Sequence, residues 1–171
     1  MNELMIRIHR GDERALFYVV ARRYGRLDRA MSRVTHLGGA VFTISAAVAM
    51  LAVPSGAWNG AGRRAAFALA GSHLCVQLLK RTISRRRPQL PVGIQSLIEA
   101  PDRFSFPSGH AAAALSVALG AALAVPALTP WLLGLAFLVG LSRCYLGVHY
   151  PGDVLAGWVL AVSAFVASAW I

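Results

Sequence analysis

The chain has 171 residues, 57% of them hydrophobic and 14% charged, with a formal net charge of +10. Soluble domains are nearer about 45–50% apolar, so a mean hydropathy of +0.57 argues against an ordinary soluble domain and for a chain that meets a bilayer. Cys75 and Cys144 are the only cysteines, each inside or beside an apolar run, which excludes a disulfide framework or zinc site and leaves them as small packing residues.

From the N-terminus, the first fourteen residues carry too many charges, with no apolar core before a small-residue site, to read as a cleavable signal peptide. Residues 13–34 then bring Leu16, Phe17, Val20, Tyr24, Leu27 and Met31 back at three- and four-residue intervals, with Arg14, Arg22, Arg23, Arg26, Arg29 and Arg33 on the remaining positions. This predicts one amphipathic helix, too charged to span. It is expected to lie in the membrane interface with its arginines on headgroups, the alternative being a helix packed on the protein's own loops. Five apolar runs follow, at 37–53, 65–79, 111–125, 131–146 and 154–171. Several fall short of the ~20 residues that cross ~30 Å of hydrocarbon, so flanking turns must extend them or the bilayer must thin. Ser108 is placed to cap the third run, Thr129-Pro130 to cap and open the fourth, and Pro151 to open the fifth. The prediction is an all-α integral membrane bundle of about five transmembrane helices. It forms one domain over 1–171, with 1–36 as the interfacial segment and 37–171 as the bundle that carries the polar residues.

The basic residues flank apolar runs and crowd into 7–33 and 80–87. That pattern favours anionic lipid headgroups over nucleic acid as partners, or a purely topological role in keeping loops cytoplasmic. Three polar segments interrupt the apolar chain: Lys80-x6-Arg87-Pro88, Pro107-Ser108-Gly109-His110 and Ser142-Arg143-x5-His149-x3-Asp153. Five successive crossings put all three at the same membrane face, a coincidence that does not depend on any motif.

The residue types suit phosphate chemistry. Fixed cations such as Lys80, Arg87 and Arg143 stabilise the charge that spreads over phosphoryl oxygens, arginine adding a bidentate fork. Taken alone, Lys80 and Arg87 read more readily as part of a juxtamembrane basic cluster with Arg81, Arg85 and Arg86. Pro107-Ser108-Gly109-His110 marks a helix start, where free amides and the dipole favour an anion, Gly109 admits a close approach, Ser108 adds a hydroxyl and His110 is placed to protonate a leaving oxygen. The plain alternative is an N-cap with a bystander histidine. His149 offers a nucleophilic nitrogen, and Asp153 a carboxylate to orient it, with His149 and Arg143 as the expected partners of Asp153. The plain alternative is an acid that complements a helix dipole. His9, His36 and His73 have no comparable neighbours, and acids are too scarce for a metal site.

Taken together, K-x6-R-P, P-S-G-H and S-R-x5-H-x3-D resemble, in order and spacing, the three-part signature of the type 2 phosphatidic acid phosphatase (lipid phosphate phosphatase) superfamily. Phe104-Ser105-Phe106 and Tyr145-Leu146-Gly147-Val148 are similar to those of small bacterial members. The resemblance implies a metal- and cofactor-independent lipid phosphate phosphohydrolase of the bacterial cell membrane. His149 would be the nucleophile, Asp153 its partner and His110 the general acid; Lys80, Arg87, Ser108, Gly109 and Arg143 would hold phosphate. The implied substrates are phosphatidic acid, phosphatidylglycerol phosphate and polyprenyl phosphates or pyrophosphates. A phosphotransferase using the same intermediate and a non-catalytic lipid-phosphate binder or transporter remain the alternatives. Two features depart from the family pattern. Many members have six spans against the five counted here. In addition, 15 of the 17 Lys and Arg fall on the side of the polar segments, which predicts a cytoplasmic site where an outward one is usual.

Overall fold

The computed structural model describes residues 3–54, 56–100 and 102–170. Seven α-helices follow one another: α1 (Glu3–Val20), α2 (Gly25–Val34), α3 (Ala40–Ala52), α4 (Ala57–Ile83), α5 (Gly109–Ala124), α6 (Thr129–Tyr145) and α7 (Pro151–Ala167). Short 3-10 turns at Thr35–Gly38, Pro126–Leu128 and Ser168–Trp170 extend α2, α6 and α7, and the described residues hold no strand beyond a single bridge between Arg86 and Phe104. The all-α membrane bundle is as expected. Two helical stretches, Pro126–Tyr145 and Pro151–Trp170, are long and apolar enough to cross a bilayer alone; Gly25–Gly38 and Ala40–Ala52, bent by 49° at their break, reach that length and apolarity only when taken together.

α5 is the centre of the bundle and packs on α3, α4, α6 and α7. Its alanine-rich sequence explains that place, because small side chains let four neighbours approach closely. Ala111, Ala112, Leu115 and Ser116 are buried in it. A Cβ on Gly157 of α7 would stand 2.5 Å from the Ser108 carbonyl oxygen, so glycine sets the α5–α7 distance beside the polar end. Outward faces keep large apolar side chains exposed, among them Val41, Ile44, Trp131, Leu141, Leu155 and Val159, as lipid contact requires. The polar ends of α4 are accommodated differently: Arg64 donates to the Phe165 carbonyl at 3.2 Å and to Ser168 Oγ at 3.0 Å, with its guanidinium 4.5 Å from the Phe165 ring. That snorkelling lets α4 run far beyond the apolar stretch 65–79.

Three expectations are corrected. The segment 13–34 is two helices, broken at Ala21–Tyr24 where Tyr24 is extended and Arg23 donates to the carbonyls of Tyr145 (2.6 Å) and Gln95 (2.7 Å). Tertiary bonds there override a continuous apolar periodicity. The apolar face of α1 meets protein rather than lipid: Leu16 and Val20 are buried against Ala111, Cys144, Tyr150 and Val154, while Arg7, Arg10, Arg14 and Arg22 stay exposed. Thr129 is the first residue of α6 rather than its cap, because the Pro126–Leu128 turn already leads the chain into the helix.

Candidate active site

The antiparallel run of α3 to α7 brings the three polar segments to one end. Lys80 closes α4, Arg87 lies in the loop after it, Ser108 caps α5, His110 opens α5, Arg143 closes α6, His149 lies in the turn before α7, and Asp153 is in the first turn of α7. Direct bonds tie the segments. Arg87 donates to the Val148 carbonyl at 2.7 Å, Lys80 to the Phe104 carbonyl at 3.3 Å, and the Ser108 amide to the Asp153 carbonyl at 2.9 Å. The chain returns from 102 to 108 alongside 85–87, with the Ser105 amide on the Arg85 carbonyl at 2.8 Å.

The three cations differ in their partners. Lys80 Nζ is 2.6 Å from Asp102 Oδ2, and Arg87 reaches Asp102 twice, at Oδ1 and at the backbone carbonyl, both at 2.8 Å. Burial opposes ionisation of Asp102, but the hydrogen bond and charge of Lys80, joined by Arg87, outweigh it and hold the carboxyl below the usual range. Arg143 is 1% exposed and gives one nitrogen to Thr35 Oγ1 at 2.7 Å. Its Nε and second terminal nitrogen are buried with no partner among the described residues. A buried guanidinium with two unanswered donors is costly unless an anion arrives.

His149 is buried and bracketed. Arg87 is 3.3 Å from Nε2, and a guanidinium only donates, so Nε2 carries the lone pair and the proton is on Nδ1. Burial lowers the imidazole to a pKa of about 4; the attraction of Asp153 opposes this, and the charges of Arg143 and Arg87 add to it. The ring is therefore neutral at pH 7. Nδ1 faces Asp153 Oδ2 across 3.6 Å, longer than a hydrogen bond. Asp153 is fully buried and occupied elsewhere: Oδ2 accepts the Tyr150 amide at 2.9 Å, and Oδ1 accepts Arg85 at 2.7 Å. The expected partnership of Asp153 with Arg143 is thus replaced by one with Arg85, which points into α7 while Arg143 turns to Thr35. The Asp153–Tyr150 bond also makes it the helix-start acid that the plainer reading anticipated.

His110 makes no side-chain hydrogen bond among the described residues. Ser108 Oγ accepts the Ala111 amide at 3.5 Å, a long cap, and a Cβ on Gly109 would meet only Val76 at an ordinary 3.7 Å. Sequence reasoning missed Arg85, Asp102, Asp12 and His9. The described residues hold no metal-binding cluster of His, Cys, Asp and Glu.

With these features in place, comparisons with known proteins are specific. Residues 61–171 match the PAP2 superfamily. The chain is 35% identical over 158 residues to decaprenylphosphoryl-5-phosphoribose phosphatase of Mycolicibacterium smegmatis, covering 86% of this chain and 82% of that one. It superposes on the transmembrane PAP2-type phosphatidylglycerolphosphate phosphatase of Bacillus subtilis with a TM-score of 0.77 at 28% identity, over 95% of this chain and 85% of the other. Aquifex aeolicus LpxE shares the fold, with a TM-score of 0.81 at 23% identity over 92% and 94% of the two chains. The chain belongs to the PAP2 superfamily and is a membrane phosphatase of that family.

Proposed function

We propose that the chain hydrolyses the phosphate monoester or diphosphate of a membrane lipid, of the phosphatidic acid, phosphatidylglycerol phosphate or polyprenyl phosphate class, through a phosphohistidine on His149. The observation that carries this is the polarity of His149, with a neutral ring, a lone pair at Nε2 beside Arg87, and an Nδ1 proton facing a buried carboxylate. The names of several relatives, a decaprenylphosphoryl-5-phosphoribose phosphatase and a phosphatidylglycerolphosphate phosphatase among them, support the substrate class.

In this mechanism substrate phosphate takes the place of the Asp102 carboxylate on Lys80 and Arg87 and satisfies Arg143, with the Ser108 hydroxyl and the first amides of α5 completing the cradle. Packing leaves room at Gly109, and the close approach of phosphate is what asks for glycine there. Nε2 attacks phosphorus: the N–P bond forms, the P–O bond to the lipid breaks, and the leaving oxygen takes a proton from His110. The ring, now positive, is stabilised by Asp153. Water then attacks phosphorus while His110 takes its proton, the N–P bond breaks, and phosphate leaves with both histidines restored. No metal or cofactor enters either step. An apolar cavity of about 330 Å³ between α3, α5 and α6, lined by Leu37, Phe42, Met50, Val117, Leu132 and Val139, suits the lipid tail. The setting is the bacterial cell membrane, and the charge bias supports a site on its cytoplasmic side.

The test is phosphate release in detergent from a panel of lipid phosphates with EDTA present. Wild type is expected to turn over, and His149→Ala and Arg143→Ala to be inactive. Acid-quenched wild type is expected to carry an acid-labile phosphate that His149→Ala lacks. Turnover by His149→Ala at the wild-type rate removes the nucleophile assignment.

A further inference from the structure

The cluster around Arg85 lies outside the residues assigned to phosphate, and it reaches into the site from an unexpected element. Arg85 is one of several basic residues between Lys80 and Arg87, yet it alone turns toward α7. One terminal nitrogen is 2.7 Å from Asp153 Oδ1, and the other is 2.8 Å from Asp12 Oδ2 of α1. The guanidinium lies 4.0 Å from the Tyr150 ring centroid, which leaves it little freedom to turn. His9 Nδ1, 3.2 Å from Arg85, accepts from it, so the His9 proton is on Nε2, which faces Glu13 at 3.3 Å. Asp12 does a second thing: its Oδ1 accepts the Gly152 amide at 2.7 Å. One carboxylate of α1 therefore grips both Arg85 and the first turn of α7, where Asp153 stands. The Asp12 side chain is 8% exposed and that of Asp153 0%, so these are buried charges that need each other rather than surface pairs.

We propose that Arg85 is a positioning residue for hydrolysis: it fixes the Asp153 carboxylate against His149, and Asp12 of α1 fixes Arg85. The inference rests on the role given above to His149 and Asp153. Its physical basis is that Asp153 has two oxygens and three claimants. Arg85 takes Oδ1, the Tyr150 amide takes Oδ2 from one side, and Oδ2 is left aimed at His149 Nδ1. Without Arg85, nothing on Oδ1 stops the carboxylate turning away from His149, and its buried charge is left without a cation. The same arrangement gives α1 a reason to pack on the catalytic end with one face while its arginines stay exposed on the other.

The experiment compares wild type with Arg85→Gln, Arg85→Lys and Asp12→Asn as full-length protein in detergent. It measures kcat and KM on a lipid phosphate, orthovanadate affinity by thermal shift, and the His149 ring titration by NMR of histidine-labelled protein. His149 is faced by Asp153 of α7, Arg87 of the loop after α4 and Arg143 of α6, so its titration reports changes in that set. Arg85→Gln is expected to lower kcat by about 10- to 100-fold, as for other groups that act through a reacting side chain, with KM and vanadate affinity within about 3-fold. The His149 titration is expected to move. Arg85→Lys should recover part of the loss and Asp12→Asn should show a smaller one. A lower melting temperature with unchanged kcat and unchanged titration makes the cluster merely structural and overturns the proposal. A loss of vanadate affinity matching the loss of kcat makes Arg85 a phosphate ligand and overturns it equally. Should a glutamine variant fail to fold, the Lys variant and Asp12→Asn carry the same readouts. Failure of the nucleophile reading shows separately, as activity of His149→Ala.

Discussion

Arg143 provides a test that links stability to function. Its guanidinium is 1% exposed, bonded once to Thr35 and unanswered at two nitrogens. An unsatisfied buried polar group costs about 1–3 kcal/mol, and a hydrogen bond to a charged group contributes about 1.5–3 kcal/mol. Replacing Arg143 with Met, of similar reach, removes two such penalties and loses the one bond to Thr35. At mid-range values the balance is a gain of about 2 kcal/mol in the free protein, less whatever the buried Thr35 hydroxyl loses with its partner, and each kcal/mol is worth about 2–4 °C in Tm at this chain length. With orthovanadate the sign reverses. The wild type gains two charge-assisted bonds, about 3–6 kcal/mol in all, so Arg143→Met should bind vanadate about 10²- to 10⁴-fold more weakly. The assay is thermal unfolding in detergent across a vanadate series, where saturation at 100 times Kd stabilises by about 2.7 kcal/mol. Wild type should start lower and rise, and the variant should start higher and stay flat. A variant that melts below wild type and still rises with vanadate refutes the reasoning, since the guanidinium would then be satisfied by the fold and idle toward the anion.

Asp102→Asn should tighten vanadate binding by about 3- to 30-fold, because the carboxylate that competes for Lys80 and Arg87 is gone; weaker binding would mean that Asp102 helps hold the anion. The His149 imidazole, held at about 4, should stay neutral down to that pH. Since the unfolded chain takes up that proton near pH 6.5, stability should fall as pH drops from 6.5 toward 4, by about 3 kcal/mol at most. Histidine-labelled NMR, with His149→Ala to assign the signal, checks this, and a midpoint at 6.5 contradicts it. In a cysteine-free background, a maleimide that cannot cross the membrane should label Asn59→Cys from outside and leave a cysteine in 89–100 untouched; outside labelling of the second site alone reverses the proposed orientation.

Much of the fold is legible because its signals are local and additive. Apolar runs end at charged residues, and five consecutive runs must alternate direction, which is enough to gather Lys80, Ser108, His149 and Asp153 at one end. What escapes the sequence is pairing. Arg85 is indistinguishable by type from Arg81, Arg86 and Arg87; only the turn after α4, with Ser84 in a left-handed conformation at φ 50°, decides which guanidinium faces α7. Asp102 had a faint signal, one of two acids shortly before the Phe104-Ser105-Phe106 stretch, but its partner Lys80 lies 22 residues away across a loop that periodicity does not describe. His9 was set aside for want of comparable neighbours in sequence, and Asp12 lies just before the stretch 13–34 read as amphipathic; their partner Arg85 is 76 and 73 residues away. α1 does expose its arginines, and its opposite face supplies the acid that holds Arg85.

In the proposed function, the unequal partnering of the three cations would let one pocket hold phosphate and still release it. A site with three unanswered cations would carry strong mutual repulsion in a low dielectric and a large folding cost. This one neutralises Lys80 and Arg87 with an acid on a loop, at 2.6 and 2.8 Å, and leaves only Arg143 unsatisfied. Binding then exchanges one anion for another on the outer pair, a step of small net energy, while the inner guanidinium gains partners it had lacked. Affinity for phosphate would then be set mainly by Arg143, whose two free nitrogens have no partner among the described residues. Asp102, the partner of Lys80 and Arg87 in the free protein, would then favour release by competing for them. On the proposed mechanism the asymmetry would also protect His149: while Asp102 holds Arg87 in place, Arg87 donates to Nε2 at 3.3 Å and occupies the lone pair, and an anion that drew Arg87 onto itself would free it.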